Sequence, residues 1–410
     1  MAVRQLPAIF TMTHPLWQAA HRPLFLCAAL SALFAPVVWL FPGGLVADPV
    51  LWHLHELMFG MGGAAVGGYL LTALPSWTGA APVSPQTVRA LSFLWVLARL
   101  AFLWAEILPF GLLLSLALGY FGMLALVVAR QLIAVRAWPR LWSVAAISGM
   151  MLGNAVVLAD ARGLLDTAAA PLGMALLFAT LISIIGGRAV PAFTRSWLQQ
   201  SAAPRHVRDS GALSGLAIAA TALGGGLAMG GQPSAAGACL ILAGAIQAAR
   251  MTGWQSRRTR PYPALFMLHL AWVWVPVGLI LPGVAMLRPD VMPQTAALHA
   301  LTMGAMGSMI LAISGRAAMG RHDRRLIAGR GLAAAFAMVW LASLLRVVSP
   351  FVPEGALEPV TVSAAMWMLG WAVFLWAYRP ALQGPVPWPV LSARVSGRDV
   401  SPRYQQAPAS

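Results

Sequence analysis

Lysine is absent from this chain, so its 27 basic residues are all arginine, set against only 11 acidic ones. Charged residues of either sign make up 9%, where a water-soluble domain carries about 25%. That shortfall excludes a soluble globular fold. Cysteine is nearly absent too. Cys27 and Cys239 both fall in apolar stretches. They read as small buried residues, and no disulfide framework or cysteine-based metal cluster is expected. The first 23 residues include His14, Pro15, His21, Arg22 and Pro23, and they lack the apolar core of a cleavable signal.

What is abundant is apolar length. The chain of 410 residues is 60% hydrophobic, with a mean hydropathy of +0.76. Runs long enough to cross a bilayer are expected at 24–41, 53–74, 88–108, 111–134, 141–161, 171–190, 211–230, 235–253, 264–286, 295–318, 328–349 and 360–379. The expected fold is all-α, a polytopic integral membrane bundle of about twelve transmembrane helices. Residues 1–23 are expected as a cytoplasmic N-terminal segment and 24–380 as the membrane domain. Residues 381–410, rich in Pro, Ser and Gly, are expected as a disordered cytoplasmic tail.

Arginine placement orients the bundle. With the N-terminus inside, every arginine except Arg99, Arg162, Arg288 and Arg346 falls in a cytoplasmic loop or span end. Such a bias predicts both termini in the cytoplasm and an even number of spans. The formal charge of +16 is dispersed over many short loops. It therefore argues for orientation in a lipid bilayer and against a nucleic-acid partner.

Two spans share a pattern. His55-Glu-Leu-Met-Phe-Gly60-Met-Gly-Gly63 and His299-Ala-Leu-Thr-Met-Gly304-Ala-Met-Gly307 both read H-x-x-x-x-G-x-x-G. At about 100° per residue, each helix offers an imidazole beside a stripe without side chains, a surface on which a flat macrocycle can lie. A polar ring inside an apolar span needs a reason. Both spans run inward from outside, which places His55 and His299 at similar depth near the outer leaflet. Two such imidazoles can clamp one metal, as axial ligands hold a haem iron. His53, on the other side of the same helix, is a candidate for a second metal or for a hydrogen bond at headgroup level. Glu56 is a candidate acceptor orienting an imidazole. The competing reading makes these interfacial histidines, with glycines that let helices approach.

Other intramembrane polar groups leave alternatives open. His269 lies toward the cytoplasmic side and suits a second metal, a proton path or a buried hydrogen bond. Arg99, midway along the third span, needs an anionic partner. Glu106, seven residues on, and Glu56 are the candidates, and a cofactor carboxylate would serve as well. Met58, Met61, Met303, Met306 and Met309 crowd the histidine helices. Thioethers bind Cu(I), and core packing explains the same residues. In Gly186-Gly-Arg-Ala-Val-Pro-Ala-Phe-Thr194, Gly and Pro are expected to break the sixth span around Arg188 and Arg195. That leaves either an anion site or a cytoplasmic anchor.

Several of these stretches, in order, carry a family likeness. The chain resembles the NnrS family of bacterial inner-membrane proteins in His14-Pro-Leu-Trp17, Arg22-Pro-Leu-Phe25 and Trp52-His-Leu-His-Glu-Leu-Met-Phe-Gly60. The likeness continues in Leu71-Thr-Ala-Leu-Pro-Ser-Trp-Thr-Gly79, Gly186 to Thr194, Leu268-His-Leu270, and His299-Ala-Leu-Thr-Met-Gly304 into Arg316. The resemblance implies a multi-pass haem- and copper-binding protein linked to nitric oxide response, resistance and denitrification. It carries metal-site candidacy to His53, His55, Glu56, His269 and His299, without saying which holds haem and which copper. One departure is visible: Gly320-Arg321-His322-Asp323 stands where the family tends to show Gly-His-Thr-Gly, so no role passes to His322. The implied ligand is nitric oxide or a nitrosyl species. No soluble electron-transfer domain is encoded, so a redox partner or the quinone pool would supply electrons.

Two other classes compete. A twelve-span secondary transporter without cofactor is compatible with the span count and helix breaks. A haem-copper oxidase or nitric oxide reductase-like subunit needs more helix histidines than His53, His55, His269 and His299 supply.

Overall fold

The computed structural model describes residues 11, 13–39, 46, 48–165, 169–200, 206–323, 325–353 and 358–392. Among them are twelve helices long and apolar enough to cross a membrane. They are His21–Trp39 (span 1), Pro49–Thr78 (span 2), Pro85–Leu103 (span 3), Phe110–Ala134 (span 4), Trp138–Ala161 (span 5) and Ala170–Leu198 (span 6). Gly211–Met229 (span 7), Pro233–Thr252 (span 8), Pro263–Leu287 (span 9), Gln294–Ala318 (span 10), Arg330–Phe351 (span 11) and Pro359–Leu382 (span 12) follow. The all-α multi-pass architecture is thus the one the composition dictates. Two three-residue pieces, Gly320–His322 and Arg325–Ile327, are the only strands among the described residues. Arg4, Arg205, Arg324, Arg394, Arg398 and Arg403, with residues 1–10 and the tail from 393, lie outside the described residues.

A bilayer offers no water to backbone groups, so each span must close its own hydrogen bonds, and the chain marks the ends. Asp48 accepts from the Leu51 N–H ahead of Pro49. Ser84 does the same for Thr87 ahead of Pro85, and Ser210 for Leu213 at the start of span 7. These are N-cap bonds to otherwise unpaired amides. Span 2 stops at Gly79, whose φ of 68° is the left-handed conformation a glycine adopts without strain.

Span 6 departs from expectation. It does not break at Gly186–Pro191 but runs on to Leu198. Proline lacks an N–H, so Pro191 deprives the Gly187 carbonyl of its helical donor. Arg250 Nη2 donates to that carbonyl instead, at 3.1 Å. With the lost bond replaced from span 8, the helix has no reason to end.

The chain divides into two compact units. The first comprises Met1–Leu164, Arg316–Arg324 and Leu375–Ser410. Within it span 2 packs on spans 1 and 4, and span 4 on spans 3 and 5. The second comprises Leu165–Gly315 and Arg325–Phe374. There spans 7, 8 and 9 pack in sequence, and span 10 packs on spans 9 and 11.

The segment expected as the start of the tail is held in place up to Ser392. Arg22 Nη2 donates to the Gly384 carbonyl at 2.7 Å, Arg316 Nε to Leu391 at 2.7 Å, and Arg321 Nη2 to Pro389 and Val390 at 2.9 and 2.8 Å. A proline-rich strip cannot close helical bonds, so its carbonyls stay open to guanidinium donors.

Both histidine-glycine segments are wound differently from the rest of their spans. Glu56–Gly62 and Ala300–Gly307 are π-helical, with about 4.4 residues per turn instead of 3.6. The angular spacing assumed for a regular helix therefore does not hold in either segment. Such widened turns often mark functional sites.

Candidate functional site in the two histidine segments

His55 is fully buried in the first unit, and every polar atom of its ring is engaged. Asn154 Nδ2 donates to the Ala117 carbonyl, so Asn154 Oδ1 faces His55 Nε2 at 3.0 Å. Arg99 Nη1 approaches His55 Nδ1 at 3.3 Å and Glu56 Oε1 at 2.9 Å. A guanidinium can only donate, so Nδ1 accepts and the ring proton sits on Nε2. The Phe102 ring lies on the imidazole, with centroids 3.7 Å apart and planes within 11°. As folded, a metal on His55 would have to displace Arg99 or Asn154.

Arg99 therefore pairs with Glu56 and not with Glu106. Span 3 ends at Leu103, so residue 106 is no longer on the helical face that a seven-residue step presumes. The Arg99 Nε and the Ser31 Oγ are buried without a partner among the described residues. A Cβ built on Gly60 would stand 2.7 Å from Ser31 Oγ, 2.9 Å from Glu56 Oε2 and 3.1 Å from Arg99 Nη1. Gly60 is what lets these polar groups meet.

The other glycines are faced by flat rings that belong to the protein. A Cβ on Gly304 would stand 2.5 Å from Trp274 Cδ2, and one on Gly307 would run into the Trp367 indole. At Gly63 it would meet Phe121 at 2.9 Å. The side-chain-free stripe is thus covered by aromatic rings, an arrangement that does not fit a macrocycle lying on the same glycines.

His299 differs from its twin. It is half-buried, in the second unit, at the N-terminal end of span 10. Its Nδ1 lies 2.6 Å from the Thr295 carbonyl. A carbonyl only accepts, so Nδ1 carries the proton and the ring's lone pair is on Nε2, the geometry of a metal-competent imidazole. His269, also in the second unit, is held by two hydroxyls. Thr194 Oγ1 spends its proton on the Val190 carbonyl at 2.8 Å and so accepts from His269 Nε2 at 2.8 Å. Ser256 Oγ then donates to Nδ1 at 2.9 Å. His53 is half-buried, with the Trp39 indole N–H 3.5 Å from its Nδ1. Met58, Met61, Met303, Met306 and Met309 are all buried. Among the described residues no three His, Cys, Asp or Glu side chains gather as a metal-binding group.

Asn154, Thr194 and Ser256 are partners that sequence reasoning missed. Asn154 had a signal: an amide in the middle of an apolar span demands a hydrogen bond. A second buried network was also missed. Arg250 donates to Gln247 Oε1 at 2.8 Å, to the Gly187 carbonyl, and to Asp209 through Nε at 3.2 Å and Nη2 at 3.3 Å. Gln247 Nε2 in turn reaches Ser183 Oγ at 2.8 Å.

Twelve apolar helices, with Arg99 bonded to Glu56 and His55 to Asn154 across spans, define a multi-pass membrane protein embedded in the lipid bilayer. The NnrS protein family model matches residues 15–385, and the chain belongs to that family. No curated protein is significantly similar to it.

Proposed function

We propose that the chain is a haem- and copper-binding protein of the bacterial inner (cytoplasmic) membrane, acting in nitric oxide response and resistance alongside denitrification. Membership of the NnrS family supports this reading. The observation that carries the metal is the Thr295 carbonyl on His299 Nδ1, which puts the lone pair on Nε2, the atom that would coordinate. We assign His299 as the leading metal ligand, ahead of His53, His269 and His55. Glu56 balances the charge of Arg99. The partnerless Arg99 Nε and Ser31 Oγ suit a carboxylate such as a haem edge carries. An imidazole-bound iron or copper, when present, supplies a site for nitric oxide or a nitrosyl species. Electrons would come from a redox partner or the quinone pool.

The test is an absorption spectrum and elemental analysis of protein purified from its native membrane. A Soret band with bound copper is expected. His299→Ala should lower the metal content, while His55→Ala should keep it and lose thermal stability. Absence of both haem and copper would overturn the reading and favour a twelve-span transporter. Unchanged metal content and spectrum in His299→Ala would overturn the ligand assignment alone.

A further inference from the structure

The second unit contains a cavity of about 930 Å³ at the ends of spans 6 and 8 and the start of span 7. Four groups able to carry positive charge line it from three separate segments: Arg195 in the last turn of span 6, His206 and Arg208 ahead of span 7, and Arg250 near the end of span 8. Asp209 is the one carboxylate among the described lining residues, and it is already committed. It receives two bonds from Arg250 and one from Trp254 Nε1 at 3.1 Å. Neither Arg195 nor Arg208 has a carboxylate partner among the described residues. The N-terminus of span 7, capped by Ser210 in the same wall, adds its dipole to the positive field.

Orientation in a membrane asks only for arginines on one side. It does not ask that two exposed arginines from separate segments, neither with a carboxylate partner among the described residues, line one hollow. A bound anion would balance their charge, and guanidiniums match the oxygen geometry of phosphate. The volume falls in the range that takes a whole organic ligand, far more than a bare phosphate ion needs. Leu213 and Ala249 give the wall apolar patches as well. We infer that this cavity binds a phosphate-bearing organic molecule, with Arg195 and Arg208 as its principal contacts.

Two sources share that chemistry, a phospholipid headgroup and a soluble organophosphate, and the test separates them. The full chain in neutral maltoside micelles is offered phosphatidylglycerol, with phosphatidylcholine as control, and read by native mass spectrometry. Glycerol 3-phosphate is offered in parallel by equilibrium dialysis. The expected result is retention of one anionic probe, weakened at least tenfold in R195Q/R208Q and unchanged in R257Q/R258Q, whose arginines lie outside the cavity. R195K/R208K keeps the orienting charge and should weaken binding less than R195Q/R208Q does, which covers the case in which loss of charge disturbs insertion. Retention of phosphatidylglycerol alone identifies a lipid, and of glycerol 3-phosphate alone a soluble ligand. Retention of neither probe, or equal losses in both glutamine variants, would overturn the inference.

Discussion

At the scale of single residues, Arg99–Glu56 is a buried ion pair in the first unit. Neither side chain is solvated, with 10% and 6% exposure, and each is the other's compensation inside an apolar environment. Removing Arg99 strands the Glu56 carboxylate and takes the donor from His55 Nδ1. Arg99→Ala should therefore destabilise by about 3–5 kcal/mol, whereas the double variant Glu56→Gln/Arg99→Met should recover much of that loss. Thermal unfolding in detergent reads both. If Arg99→Ala melts like the unmodified protein, the pair is not structural and Arg99 is held in reserve for a ligand.

At the scale of elements, the two π-helical segments and their aromatic lids decide how close the helices come. Trp274 from span 9 presses on Gly304, and Trp367 from span 12 on Gly307. A methyl group at either glycine forces an indole out of place. Overpacking of this kind costs about 1–3 kcal/mol, so Gly304→Ala and Gly307→Ala should each lower thermal stability. At Gly215 in span 7, by contrast, an added Cβ would meet nothing within 4 Å. Gly215→Ala should be neutral or stabilising by up to about 1 kcal/mol. Equal melting of all three variants would show that the glycines do not set the approach.

Legibility in the sequence follows the same division. The number of spans and most of their limits could be read because a bilayer imposes one length and one polarity on every helix. That Arg99 faces the bundle could also be read, from a charge set in an apolar run, whereas the full burial of His55 could not be told from an interfacial position. Which partner Arg99 takes could not, because it depends on span 3 ending at Leu103. The π-helical winding left no mark in residue type. The H-x-x-x-x-G-x-x-G pattern was visible, but its meaning turned on what faces the glycines, and Trp274 and Trp367 come from distant parts of the chain. Pro191 reads as a helix breaker until Arg250 is seen to replace the missing donor.

At the scale of the whole molecule, one of the arginines deemed external is paired with a carboxylate and two are engaged by neutral oxygens. Arg288 pairs with Asp290 at 2.7 Å, Arg162 donates to the carbonyls of Ala105 and Leu108, and Arg346 reaches Ser349 Oγ at 3.3 Å. The connection between spans 8 and 9, by contrast, carries Arg257, Arg258 and Arg260, with no acidic residue among 253–262 to offset them. Net positive charge in short loops stays on the cytoplasmic side. We therefore expect reporter fusions at residue 258 and after span 12 to be cytoplasmic, and a fusion at residue 290 to lie across the membrane from both. With twelve spans the N-terminus must share the side of the C-terminus, so an N-terminal reporter provides an independent check. Opposite sides for the two termini would mean that one of the twelve helices does not cross, and spans 3 and 8, the least hydrophobic of the twelve, would be the first to examine.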